Sequence, residues 1–202
     1  MSPEAKNNKS RLADTEASGR NGSKGSGRTG KSGQAAKPRK PGRLRLAELG
    51  DYFEISQLSG LVFSPYGDYR QVLPDYLFCE DVATYLWEKR GALGGFIQVG
   101  LKPVSAGTGV KMIAEILSVA VHPNHQNQGV GRALFEKVFQ ALEPLKRTGR
   151  LLEIRLTVAH TNDRAKRFFR HLGFTLTDAD LGYYAGGQRA LRMTIRPSET
   201  QT

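Results

Sequence analysis

Val119-Ala-Val-His-Pro-Asn-His-Gln-Asn-Gln-Gly-Val-Gly-Arg132 decides how this chain folds. Its first residues end an apolar run of strand length, Glu115 to Val121, of the kind expected for a strand buried on both faces. Pro123 stops that strand, since proline has no N–H to give to a sheet ladder. A helix follows the glycines, with Val130, Leu134, Val138, Ala141, Leu142 and Leu145 at helical spacing on one face. Gly129 and Gly131 carry no Cβ, so a ligand can approach the backbone closely. Free N–H groups and the positive end of a helix dipole converge there, which suits a phosphorylated ligand.

Read alone, the glycines fit an ordinary strand–loop–helix connection equally well, because short Gly-x-Gly patterns are common. The flanking residues narrow the reading. Leu151 to Val158 reads as a second strand that turns Leu152, Ile154, Leu156 and Val158 inward. Asn162-Asp-Arg-Ala165-Lys-Arg-Phe168-Phe169-Arg-His-Leu172-Gly173-Phe174 reads as a helix closed by Leu-Gly-Phe, and Tyr85 to Val99 as strand, turn and Gly-Phe strand. Together with Gln126-x-x-Gly129-x-Gly131, this order resembles the GCN5-related N-acetyltransferase (GNAT) family over roughly residues 43–196. The resemblance implies an α/β class chain with the GNAT acyl-CoA N-acyltransferase fold. That fold is a mixed central sheet of six to seven strands flanked by about four helices.

Composition divides the chain. Residues 1–42 are rich in Gly, Ser, Lys, Arg and Asn, and too poor in apolar side chains to offset the entropy of ordering, so they read as a disordered basic tail. Residues 1–40 hold ten Lys and Arg against three acids, a surplus of seven out of the net charge of +11. Such a tail makes weak, salt-sensitive contact with nucleic acid or an anionic surface, or serves only as a solubilising extension. It has no apolar segment of the secretory type. The domain is expected over 43–197, with a short C-terminal tail over 198–202. No run is long enough to span a membrane. The single cysteine, Cys79, suits a reducing compartment, so a cytoplasmic location is expected; a monomer or homodimer is a separate expectation.

The remaining elements follow from pattern and punctuation. A first strand fits Arg43 to Leu46, a helix fits residues 48–63, and a short helix fits Asp68 to Leu73 before Pro74. Strands fit Val82–Glu88 and Gly95–Leu101, with Lys102–Lys111 as a Gly- and Ser-containing loop. Strand 112–121, helix 129–146, strand 151–159 and helix 162–172 come next. Strands near Phe174–Thr177 and Arg189–Arg196 close the sheet.

The resemblance implies acetyl transfer from acetyl-CoA to a primary amine by direct attack, with a protein N-terminus or a small-molecule amine as acceptor. It places the pyrophosphate on backbone N–H groups of Gln128, Gly129, Val130, Gly131 and Arg132, with Gln126 and Asn127 counted among the cofactor-binding residues. Backbone groups of Val119 and Val121 would pair with the pantetheine arm, and the Asn162 side chain would bond to it directly or through a water. Glu115 matches the base of histone-acetylating members; half buried, it would hold its proton tightly. The other reading of Glu115 is a solvated carboxylate. Many relatives carry an acid tyrosine where this chain has Phe169. Tyr183 and Tyr184 are the substitute donors, or else they pack on their loop; solvent is a third donor. Arg132, Arg164, Lys166 and Arg167 are candidates for the CoA 3′-phosphate. His122, His125, His160 and His171 lack ligand spacing, so no metal is expected.

Two alternatives to an enzyme remain at this level. One is a non-catalytic acyl-CoA-binding sensor or scaffold, suggested by Phe169. The other is a nucleic-acid-associated protein led by its tail, although the chain lacks a helix-turn-helix pattern and basic runs interleaved with aromatics.

Overall fold

Apolar residues alternate along the central strands, and the alternation builds two cores on opposite faces of one sheet. In β2 (Val82–Lys89), Tyr85 and Trp87 enter the larger core while Leu86 enters the smaller one. In β3 (Ala92–Ala106), Ile97 and Val99 join the larger core and Phe96 the smaller. The computed structural model describes residues 42–107, 109–178 and 181–197. Apart from Gly42, the expected basic tail and the C-terminal tail lie outside the described residues.

The remaining strands are β1 (Arg43–Leu46), β4 (Gly109–Val121), β5 (Leu151–Ala159), β6 (Thr175–Asp178) and β7 (Ala190–Ile195). The seven form one mixed sheet in the order β1-β2-β3-β4-β5-β7-β6. Only β4 and β5 run parallel; every other neighbouring pair is antiparallel. Helices α3 (Val130–Arg147) and α4 (Asp163–His171) bury their apolar faces in the larger core. Helices α1 (Tyr52–Phe63) and α2 (Val72–Asp75) cover the smaller one through Ile55, Leu58 and Leu73.

A buried amide ties the second layer to the sheet. Gln98 is 0 % exposed. Its Nε2 donates to the Leu73 carbonyl at 2.8 Å and to Thr84 Oγ1 at 3.2 Å, and its Oε1 accepts from Ser118 Oγ at 2.8 Å. Both ends of the amide are satisfied, so its burial carries no orphan penalty.

Several expectations need correction. Lys102–Lys111 is not a loop: β3 continues to Ala106 and pairs with β4 from Gly109, through Ser105↔Val110 and Ala106↔Gly109. Pro103 is tolerated because β2 pairs with β3 only as far as Gly100, leaving that side of β3 without a ladder to serve. The lengthened β4 carries Lys111 as well as Glu115. The short helix lies at Val72–Asp75 and contains Pro74, whose missing N–H costs nothing in a first turn.

Two side chains expected in the core are exposed. The register shift between Met112↔Leu151 and Ile113↔Glu153 turns Leu151 inward and Leu152 outward. On α3, Ala141 is exposed while Phe135 is fully buried, its ring 5.8–5.9 Å from those of Phe168, Phe169 and Phe174. The stripe leans toward these phenylalanines because they offer more apolar area than a methyl group.

Candidate functional site

β4 and β5 pair only from Met112↔Leu151 to Ile116↔Leu156. Beyond that point β4 stays with β3 as far as Gly95↔Val121, while β5 stays with β7 as far as Ala159↔Ala190. The parting follows from one extra residue. Gln98 pairs with Ser118 but Val99 pairs with Ile116, so Leu117 bulges out of register and bends β4. A cavity of about 150 Å³ fills the gap, bounded by residues 116–119 and 156–159. Asn162, Ala165 and Phe169 of the α4 region line it together with Phe63, Tyr66, Tyr69, Leu73 and Tyr184.

The backbone groups of Val119 and Val121 face the gap. The His122 N–H donates back to the Gly94 carbonyl at 2.9 Å. Its neighbour Val121 therefore points the opposite way, toward the gap, and so does Val119 two residues earlier. The Val121 carbonyl is taken by Gln126 Nε2 at 3.0 Å.

At the mouth of the gap the chain makes a 3-10 turn at Pro123–His125 and then two left-handed residues, Asn127 (φ 58) and Gly129 (φ 82). Gly129 caps α3, so the N–H groups of Val130, Gly131 and Arg132 open the helix with no partner inside it. Val130 is buried and anchors the turn. The side chains of Gln126, Asn127 and Gln128 brace the loop. Arg164 Nη1 donates to Gln126 Oε1 at 2.8 Å, Arg164 Nη2 donates to Asn127 Oδ1 at 2.9 Å, and Gln128 Nε2 donates to the Asn124 carbonyl at 2.7 Å. Both of these Arg164 contacts are to neutral amide oxygens. Arg132 faces solvent and pairs with Glu136 at 3.8 Å. Lys166 pairs with Asp163 at 2.8 Å and with the His160 carbonyl.

Asn162 is more committed than its sequence position suggests. Its Oδ1 caps α4 by accepting from the Ala165 N–H at 3.0 Å, and its Nδ2 donates to the Tyr66 hydroxyl at 2.9 Å. The sequence alone did not single out Tyr66, Tyr69 or the bracing contacts of Arg164.

Glu115 departs from expectation in place and in titration. It does not line the cavity. Its Oε2 accepts from Lys102 Nζ at 2.9 Å and Arg155 Nη2 at 3.0 Å. Burial pushes the carboxyl up, but the hydrogen bonds and charges of Lys102 and Arg155 outweigh it and hold it below the usual glutamate range. The expected tight hold on a proton is thus reversed.

The tyrosine pair divides. Tyr183 is 73 % exposed and forms an isolated bridge with Arg189, whereas Tyr184 lines the cavity. Burial, then the neighbouring Tyr69 and Tyr66, push Tyr184 well above the ordinary tyrosine range. Its loop is stitched to the end of α1: the Gly186 N–H donates to the Tyr66 carbonyl at 2.9 Å, and Gln188 Nε2 donates to the Pro65 carbonyl at 2.8 Å. A Cβ on Gly186 would stand 2.4 Å from that Pro65 oxygen, so only glycine permits the approach. Among the described residues, no group of His, Cys, Asp or Glu is placed to hold a metal, and no helix is long and apolar enough to cross a membrane.

The sequence model of the Acetyltransferase (GNAT) family matches residues 51–174, well over half of the chain. The chain belongs to the GNAT acetyltransferase family. It is therefore an enzyme of the acetyltransferase kind, and its sheet, parted strands and glycine loop are the GNAT fold. Solved structures agree at the level of fold. Arabidopsis thaliana NAA60 in complex with a bisubstrate analogue is 15 % identical, with a TM-score of 0.65 over 77 % of this chain and 98 % of that one. The ribosomal-protein-S18-alanine N-acetyltransferase from Escherichia coli is 19 % identical, with a TM-score of 0.60 over 78 % and 94 %. Ard1 from Thermoplasma volcanium is 24 % identical, with a TM-score of 0.61 over 77 % and 97 %. No curated protein matches the chain in sequence.

Proposed function

We propose that this GNAT enzyme uses acetyl-CoA to acetylate a primary amine, and that its acceptor is the α-amine of a peptide or protein N-terminus. The observation that carries the donor is the parting of β4 from β5 directly behind the unpartnered N–H groups of residues 130–132. That gap accepts an extended, amide-bearing arm as an added strand, and the helix start accepts its pyrophosphate. Val119 and Val121 supply the pairing backbone, and an N–H near Val121 polarises the thioester carbonyl. Gln126, Asn127 and Gln128 hold the loop in shape. NAA60 has been solved with acetyl-CoA, and Naa50 of the same plant with the bisubstrate analogue CoA-Ac-MVNAL; both support the reading by fold likeness.

The acceptor class follows from what lines the cavity. Its described lining holds tyrosines, a serine, a threonine, an asparagine and apolar residues, but no carboxylate, histidine or lysine. With Glu115 held ionised by two cations outside that lining, the acceptor nitrogen sheds its proton to water. An α-amine, with a pKa of about 7.7–8.0, is roughly one-tenth neutral near pH 7, whereas a lysine amine at about 10.4 is neutral in fewer than about one in a thousand molecules. The α-amine is the acceptor such a site serves best. The acceptor enters between the end of α1 and the Tyr184 loop.

The test is a screen of acetyl-CoA turnover, read as free thiol, across peptides with free N-termini, N-terminally blocked lysine peptides, aminoglycosides and polyamines. Free N-termini should give the highest kcat/KM near neutral pH. Preference for a blocked lysine peptide would overturn the acceptor class, and thiol release with no amine tested would overturn the transferase reading.

A further inference from the structure

We infer that Tyr66 is the proton donor to the departing CoA sulfur, an assignment that rests on the acetyl-transfer reading above. The α4 position facing the cavity holds Phe169, only 6 % exposed and packed edge-on against Phe135 and Phe174. A hydrocarbon ring donates no proton, so any protein donor must come from another element.

The cavity offers few hydroxyls, and they are not equivalent. Ser118 spends its proton on Gln98 Oε1. Tyr69 lies edge-on to Phe63, and burial pushes its ionisation upward. Tyr184 is pushed further in the same direction, which makes it a reluctant donor. Tyr66 alone among these phenols accepts a hydrogen bond, from Asn162 Nδ2 at 2.9 Å. Because its oxygen is already serving as acceptor to the amide, its own O–H proton is left to point elsewhere.

The phenol is also held firmly. The Tyr66 N–H donates to the Phe63 carbonyl at 2.8 Å, its carbonyl accepts from Gly186, and its ring lies 5.6 Å from that of Tyr184. Asn162 is fixed in turn by capping α4. A donor placed in this way needs little rearrangement when charge develops on the sulfur.

The step balances. As the amine nitrogen attacks, a C–N bond forms and the carbonyl π pair moves to oxygen. Collapse restores the carbonyl and breaks the C–S bond, leaving its electron pair on sulfur. The Tyr66 O–H proton passes to that sulfur, and the phenolate recovers a proton from water, which takes the one shed by the acetylated nitrogen. The products are the amide and free CoA thiol.

Two variants of the full chain test this. Tyr66→Phe should lower kcat about a hundredfold, at the low end of general-acid effects, with KM for acetyl-CoA changed less than about threefold. It should also lose the alkaline fall in kcat that ionisation of the donor produces. Replacing Tyr66 with an isosteric fluorinated tyrosine of lower phenol pKa keeps the Asn162 contact and should move that alkaline limb downward in pH. A limb that stays in place would overturn the assignment even if Tyr66→Phe failed to fold. Wild-type turnover with unimpaired turnover by Tyr66→Phe would overturn this assignment alone. Failure of the wild type to release thiol with any amine would overturn the transferase reading and this one with it.

Discussion

The Cζ atom of Phe168 stands 3.2 Å from the point where a Cβ on Gly131 would sit. Helix α4 therefore presses on the first turn of α3, and a methyl group there would need a few tenths of an ångström of ring movement. Gly129 differs, with open space around it but a φ of +82°. Gly131→Ala should change stability by less than about 1 kcal/mol, since helix propensity offsets the contact. Gly129→Ala should cost about 1–2 kcal/mol through left-handed strain. Urea unfolding of both variants checks the contrast; equal losses would mean that space, not backbone angle, governs the loop.

Arg164 grips both Gln126 and Asn127. Arg164→Ala should weaken CoA binding about tenfold, the worth of one charge-assisted contact. The difference from wild type should shrink as salt rises. Calorimetric titration at two ionic strengths measures both effects, and a salt-independent loss would point to loop shape alone.

Glu115→Gln should leave kcat within about twofold across the pH range, because the carboxylate is occupied by Lys102 and Arg155 outside the cavity lining. It should cost about 1–3 kcal/mol of stability, since two cations are left beside a neutral amide. A loss of kcat that recovers with rising pH would restore Glu115 as the base.

Arg45 binds Asp51 through two 2.7 Å contacts and also reaches Glu88 Oε1 from its Nε at 2.8 Å, joining β1, β2 and the start of α1. Hydrogen bonding to Arg45 lowers the Asp51 carboxyl despite the opposing effect of burial. Folded Asp51 thus binds a proton less tightly than unfolded Asp51, which titrates near about 3.9. Its stabilisation is complete above about pH 5 and is lost as pH falls through the folded-state value. The urea midpoint of the wild type should drop more between about pH 6 and pH 3 than that of Asp51→Asn. Parallel drops would place the acid sensitivity elsewhere.

The sequence exposed what is local and periodic. The run into Pro123, the loop glycines and the α3 stripe all act within a few residues, so β4, the turn and α3 were legible. Phe135 was missed because its burial depends on three phenylalanines that lie 33 to 39 residues further along the chain. Lys102–Lys111 looked like a loop because it contains Pro103, Ser105, Gly107 and Gly109, while its pairing is set by the partner strand. Glu115 was read without Lys102 and Arg155, which only strand register brings beside it. Tyr66 lies 96 residues from Asn162, and nothing in its own neighbourhood announces the contact.

The missing rungs between β4 and β5 past Ile116↔Leu156 have a consequence for abundance as well as for chemistry. With the donor bound as proposed, part of the sheet's hydrogen bonding is supplied by a metabolite rather than by the chain. Folding free energy then becomes a function of donor concentration, rising by about 2.7 kcal/mol at a hundred times the dissociation constant. A cell short of acetyl-CoA would hold a less stable population of this enzyme, more open to proteolysis, so supply of the donor would tune the amount of catalyst as well as its rate.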